Sequence, residues 1–215
     1  MGTVFSCAFC GKHSCETDDL GHAPTTCPSL DPEYTKIESL YSGEDLAIAQ
    51  AAARVEAAGY CKNTRVEETM LFARAMGMKK LGIAFCAGLK REAAILARIL
   101  QGNGFEVVSA KCKMGAQPKE RLGLGDEDKV HPGEFEPMCN PAAQAKYLDD
   151  NGAELAIVLG LCVGHDTLFI RNVKAPVTVL ASKDRVLAHN PLGALYLSES
   201  FYKKIHTTLP SEEGN

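Results

Sequence analysis

The sequence has no tryptophan, its aromatic fraction is 7%, and no apolar run approaches the ~18 residues that a membrane-spanning helix needs. No excess of positive charge is present either. Lys and Arg number 23 against 27 Asp and Glu, for a net charge of −4. A nucleic-acid partner, whose phosphates require a basic face, is therefore not expected. No G-x-G-x-x-G follows a strand, and no G-x-x-x-x-G-K-[ST] or G-x-S-x-G occurs. No nucleotide is indicated, and no α/β-hydrolase nucleophile. The opening residues hold no basic segment followed by an apolar one, so a cytoplasmic location is expected, where thiols stay reduced. What the chain does have is 215 residues, 46% of them hydrophobic, and nine cysteines. The length suffices for a full core without disulfides. An odd number of cysteines in a reducing compartment points to metal ligands or reactive thiols.

Apolar periodicity sets the organisation. Residues 1–30 are poor in large aliphatics and rich in Cys, His, Thr, Pro and Gly, so they cannot build a core and form a separate knuckle. Residues 31–79 are read as a helical pair packed on the main domain. One helix covers 43–59, with Ser42 and Asp45 as its capping pair. The other opens at the Thr64/Glu67 capping box and runs to Gly77. Residues 80–215 alternate strand and helix. Strands are expected at 81–85, 105–108, 155–159 and 176–180. Leu89, Ala93, Leu96 and Leu100 mark one face of a helix that ends near Gly102. Asn140-Pro141 opens another, which stops at Gly152, and Asn190-Pro191 a last one toward Tyr202. The stretch from Lys113 to Pro137 reads as a long loop, either a lid or a disordered excursion. Alternation of this kind gives the fold class α/β, a three-layer Rossmann-like domain with a mostly parallel sheet of about four strands, beside the cysteine-rich knuckle and the helical pair.

Two constellations of cysteine carry the chemistry. The first is C-x2-C-x4-C-x11-C, formed by Cys7, Cys10, Cys15 and Cys27. Four thiolates so close can enclose one tetrahedral ion, with His13 or His22 as substitute ligands. Zinc or a [4Fe–4S] cluster fits this set.

The second is spread along the chain. Cys86, Cys112 and Cys162 each end a strand, and Cys139 stands directly before a helix start. In a parallel sheet all these positions fall on one edge, the edge where open α/β sheets bind ligands. The four cysteines are therefore expected to converge as metal ligands for a [4Fe–4S] cluster or zinc. Cys139 is also a candidate nucleophile, because a helix N-terminus favours the thiolate. His165 and Asp166 are candidates for a general acid–base pair, or Asp166 for a capping residue of the turn after the strand. Lys183 and Asp184 complete the rim, His189 precedes a helix start, and Cys61 belongs to neither set.

The residues Met138-Cys139-Asn140-Pro141, Cys162-Val163-Gly164-His165-Asp166, Lys183-Asp184-Arg185-Val186 and His189-Asn190-Pro191 through Tyr196 resemble the prokaryotic domain of unknown function 1847, whose members are labelled predicted metal-binding proteins. The resemblance implies metal binding, and supplies no reaction. In that pattern a glycine commonly precedes His-Asn-Pro, where this chain has Ala188. The reading that follows is a cytoplasmic metal-binding protein with two cysteine sites, metal ions as partners and a small molecule as substrate if the second site is catalytic. An iron–sulfur-dependent enzyme is one form of it. The alternatives are a non-catalytic metal-binding or redox-sensing protein, and a structural-zinc protein with an inert core. Neither a membrane nor a nucleic acid is expected as partner.

Overall fold

The computed structural model describes residues 7–207. The chain divides into two compact units, Met1–Ala58 and Gly59–Asn215. The first begins with short 3-10 turns at Cys7–Phe9, Ser14–Glu16, Leu20–His22 and Pro28–Leu30. Two single-turn helices follow, α1 (Pro32–Thr35) and α2 (Ile37–Leu40), then the Ala-rich α3 (Gly43–Gly59). Up to residue 30, Ser14 is the one buried residue among those described. The segment has no apolar core, as its composition dictates.

The second unit is an α/β domain. Its elements are α4 (Arg65–Ala75), β1 (Lys80–Phe85), α5 (Lys90–Gly102), β2 (Glu106–Lys111), α6 (Pro141–Asp150), β3 (Leu155–Leu159), α7 (His165–Asn172), β4 (Val177–Ala181) and α8 (Leu192–Tyr196). The four strands form one parallel sheet in the order β2-β1-β3-β4. The order reverses direction at β1, which has β2 on one side and β3 on the other. That is a topological switch point, and open α/β sheets bind ligands beyond the strand carboxyl ends at such a point.

Alternation of side chains along the strands assigns each face its partner. Leu81, Ile83 and Phe85 of β1, with Leu155, Ile157 and Leu159 of β3, meet α4 through Met70 and Ala73, and α5 through Ala93, Leu96 and Leu100. The face predicted for α5 is thus the buried one. On the other face, Ala84, Ala110, Ala156 and Val158 pack against Ala145 and Leu148 of α6 and Phe169 of α7. The sheet is therefore sandwiched between two helical layers. Gly82 lets α6 approach closely: a Cβ there would lie 2.9 Å from Leu148 Cδ1 and 3.0 Å from Ala153 Cβ. At the β4 edge, Arg65 of α4 donates to the Val179 carbonyl (2.8 Å) and the Thr178 hydroxyl (3.1 Å), occupying groups that would otherwise invite another strand.

Three sequence expectations are corrected. Residues 165–172 form α7, which no capping or periodic signal announced. The last helix stops at Tyr196 and not at Tyr202; turns and a 3-10 segment, Lys203–His206, follow it. The stretch 113–137 is a closed loop with its own bonding. Pro118 and Pro137 form an antiparallel bridge at its neck. Lys129, its side chain only 7% exposed, pairs with Glu120 (2.7 Å) and Asp126 (2.9 Å), and Lys119 pairs with Glu136 (3.0 Å). Compact surface loops packed by their own side chains take this form.

Candidate functional site

Strand phase brings the first two thiols together. Ala84 of β1 is paired with Ala110 of β2. Two residues on, Cys86 and Cys112 share the face covered by α6 and α7, next to each other. The Cys112 amide bonds to the Phe85 carbonyl (2.9 Å), and the Cys86 amide to the Leu159 carbonyl (3.3 Å). Both cysteines are buried.

The closed loop delivers the third. Its neck is stapled by the Met138 amide on the Gln117 carbonyl and the Asn140 amide on the Cys112 carbonyl, each 2.7 Å. Asn140 then caps α6 by accepting the Ala143 amide (3.1 Å), with Pro141 in the first helical position. Cys139, lying between these staples, is set beside Cys112. Cys86 and Cys112 belong to one buried cluster, and Cys139 packs against it.

Cys162 reaches the same edge by another route. Beyond β3 and β4 the chains stay together through the Gly160 amide on the Ala181 carbonyl (2.7 Å) and the Lys183 amide on the Leu161 carbonyl (3.3 Å). The Cys162 carbonyl accepts the His165 and Asp166 amides (2.9 and 3.0 Å) at the start of α7. Its sulfur accepts from Arg185 Nη2 at 3.1 Å. The structure therefore groups Cys86, Cys112 and Cys139, and pairs Cys162 with Arg185.

The surroundings favour negative sulfur. The Ala87 amide donates to the Cys112 sulfur at 3.2 Å, and the Gly88 amide donates to Cys86. Hydrogen bonding to Cys112 holds Cys86 down to about 5, against the opposing effect of burial, with help from the Gly88 amide and the charges of Lys183 and Arg185. Cys139 is brought down to about 6, first by Cys112 and then by the charges of Lys113 and His165, again against burial. Cys112, the partner of both, is pushed up by those same hydrogen bonds and by burial. A thiol has one proton to donate, so Cys112 serves one neighbour at a time and the three titrate as a unit. The first cause of the acidity of Cys139 is thus its neighbouring thiol, whereas the sequence reading assigned it to the helix start.

The remaining candidates separate. Lys183 extends over the loop after β1, where a Cβ on Gly88 would lie 3.2 Å from its Nζ. Asp166, inside the first turn of α7, accepts the Thr167 amide (2.8 Å), and the helix start at Gly164 has no side-chain cap. Asp184 accepts the Val186 and Leu187 amides (2.8 Å each). His189 exchanges bonds with Asp184: the Asp184 amide donates to His189 Nδ1 (3.2 Å), and the His189 amide to the Asp184 carbonyl (2.9 Å). These bonds hold Ala188 and His189 at φ 51° and 66°. They shape the loop that presents Lys183 and Arg185. Three further participants had no role assigned to them from the sequence. Lys113 and Arg185 supply charge, and Gln144 of α6, fully buried, donates to the Phe85 and Ala110 carbonyls (3.3 and 2.7 Å). Lys113 follows Cys112 directly, and Arg185 stands in the Lys183-Asp184-Arg185 run; Gln144 carried no signal. The Gln144 Oε1 has no partner, leaving one buried acceptor at the strand ends that hold Cys86 and Cys112.

In the first unit the sulfur of Cys10 accepts the Lys12 and His13 amides, which lowers its pKa below the ordinary thiol value. His13 Nδ1 lies 3.2 Å from Glu16, and His22 Nδ1 2.6 Å from Asp19. Cys7 and Cys15 are exposed, Cys10 and Cys27 half-buried; Cys61 is exposed and stands apart. Among the described residues, no three His, Cys, Asp or Glu side chains are disposed as a ready-made metal-ligand set, in either unit. No helix among them is long and apolar enough to cross a membrane.

Residues 27–180 match the model of a family described as protein of unknown function (DUF1847). The chain is also 43% identical, over 199 residues, to an uncharacterised protein of Methanocaldococcus jannaschii, MJ0455. That alignment covers 93% of this chain and 97% of the relative.

Proposed function

The chain belongs to the DUF1847 family, and we propose that the carboxyl edge of its sheet binds a thiophilic metal ion or an iron–sulfur cluster through Cys86, Cys112, Cys139 and Cys162. The observation that carries this reading is the gathering of Cys86, Cys112 and Cys139, from three separate elements, into one cluster at the carboxyl edge of the sheet. An all-sulfur donor set selects Zn, Cu(I) or an iron–sulfur cluster over hard cations. The amides of Ala87 and Gly88, directed at sulfur, are the kind of outer-shell bonds that steady metal thiolates. Binding requires the thiols to turn from one another toward a common centre and Cys162 to leave Arg185.

The same reading extends to Cys7, Cys10, Cys15 and Cys27 as a structural site. It is supported by the lack of a core up to residue 30 and by the amide bonds to the Cys10 sulfur. With three cysteine ligands a cluster leaves one iron open to substrate, which is the form the site takes if it is an enzyme. Cys139, His165 and Lys183 are then the residues beside it.

The test is purification without oxygen, followed by metal and acid-labile sulfide analysis and visible absorption. A Cys86→Ser/Cys112→Ser variant with unchanged far-UV circular dichroism but loss of metal supports the reading. Wild-type protein whose whole metal content survives in that variant refutes it, and leaves at most the N-terminal site.

A further inference from the structure

The charges around the thiols do not balance. Lys113, Lys183 and Arg185 act on Cys139 and Cys86, and His165 acts on Cys139. Among the described residues none of these three cations pairs with a carboxylate. Lys113 Nζ donates to the Pro137 carbonyl and Arg185 to the Cys162 sulfur. The acid between Lys183 and Arg185, Asp184, turns back on two amides of its own loop. Asp166 does the same at the head of α7. Lys113 and Lys183 are half-buried while Arg185 is exposed, and half-buried cations without a counter-charge are retained at a cost unless something negative meets them. Shared thiolate charge offsets part of the excess. Three cations from two separate loops, with Lys183 half-buried over Gly88, are more than one or two thiolates require.

We propose that this crevice takes a small oxyanion, a carboxylate or a tetrahedral anion, held by Lys183 and Arg185 with Lys113 against the cysteines. As the substrate class of the metal–thiolate site the proposal rests on that reading. The electrostatics of the metal-free crevice does not, so the two can fail separately.

The experiment uses metal-free, reduced full-length protein. Cys139 is alkylated in parallel with iodoacetate and with iodoacetamide and followed by peptide mapping. Both reagents need the same thiolate, so the ratio of their rates reports the local field alone. The ratio should exceed that of N-acetylcysteine amide by about tenfold, the lower end of the range for electrostatic focusing in a charged cleft, and should fall with added salt. In Lys183→Gln/Arg185→Gln it should drop toward the reference. Inorganic phosphate and acetate should slow wild-type alkylation saturably, and the one that does so at the lower concentration identifies the geometry. A wild-type ratio equal to the reference overturns the proposal, whether or not the variant folds. So does a high ratio with no saturable protection by either anion, which would mean a field without a site. Absence of metal from protein purified without oxygen, with these results intact, sinks the metal reading and leaves the anion site standing.

Discussion

Glu154 shows how a single carboxylate can hold the sheet together at the end opposite the cysteines. It accepts the Lys79 and Lys80 amides, each at 2.7 Å, while its own amide donates to the Lys80 carbonyl at 2.9 Å. Those amide bonds lower its pKa below the ordinary carboxylate value. A carboxylate depressed in the folded state contributes stability that is present above the unfolded pKa and lost as pH falls through the folded one. The urea midpoint of Glu154→Gln should therefore lie below that of wild type at pH 7, and the two should converge as the pH is lowered below 4. Ala188 offers the opposite sign. Its φ of 51° falls in the left-handed region, which costs a residue with a Cβ roughly 1–2 kcal/mol. Glycine removes that strain, while its greater freedom in the unfolded chain takes back about 0.4–1 kcal/mol. Ala188→Gly should raise stability by up to about 1.5 kcal/mol in urea unfolding, without altering metal content. That is the residue the family resemblance led one to expect there.

At the scale of elements, what was legible depended on how many residues repeat a signal. Residues 81–85 of β1 and all of β3 are buried, so both read as apolar stretches, and Leu89, Ala93, Leu96 and Leu100 show one buried face over about three turns. The strand ends then located the cysteines, because in a parallel sheet the carboxyl end of every strand lies on one edge. Helix α7 was illegible: it has eight residues, with Phe169 alone buried, and it begins at a glycine with no side-chain cap. The closed loop was illegible for another reason. Its order rests on ion pairs between Lys119, Lys129 and acids up to 17 residues away, and charge composition does not say which pairs form. The grouping of three thiols against one was likewise beyond the sequence, since the neck at Asn140–Cys112 and the Arg185–Cys162 bond are both tertiary. Two substitutions test this scale. Gly82→Ala places a methyl against Leu148 and Ala153 and should cost about 1–3 kcal/mol by overpacking. Asn140→Ala removes the cap of α6 and should cost about 1 kcal/mol. Because Asn140 also flanks Cys139, only the second should change the rate at which Cys139 is alkylated in metal-free protein. Equal effects of both on that rate would mean that α6 is not tied to the thiol through its cap.

At the scale of the whole molecule, each set of four cysteines lies entirely within one unit: Cys7, Cys10, Cys15 and Cys27 in Met1–Ala58, and Cys86, Cys112, Cys139 and Cys162 in Gly59–Asn215. The two sets also differ in what surrounds them. The second sits on a sheet with an apolar core on each face. The first has no core, and a metal bound to it would supply the folding free energy of its segment. The proposed sites should thus empty independently and with different consequences. Cys7→Ser/Cys10→Ser should lose the N-terminal metal and expose residues up to about 30 to protease, while the sheet unfolds at the same urea concentration as wild type. Cys86→Ser/Cys112→Ser should lose the other metal with the N-terminal segment still protected. The two losses should add up to the wild-type content, measured by metal analysis on protein purified without oxygen. If either double variant empties both sites, the assignment of one independent site to each unit fails.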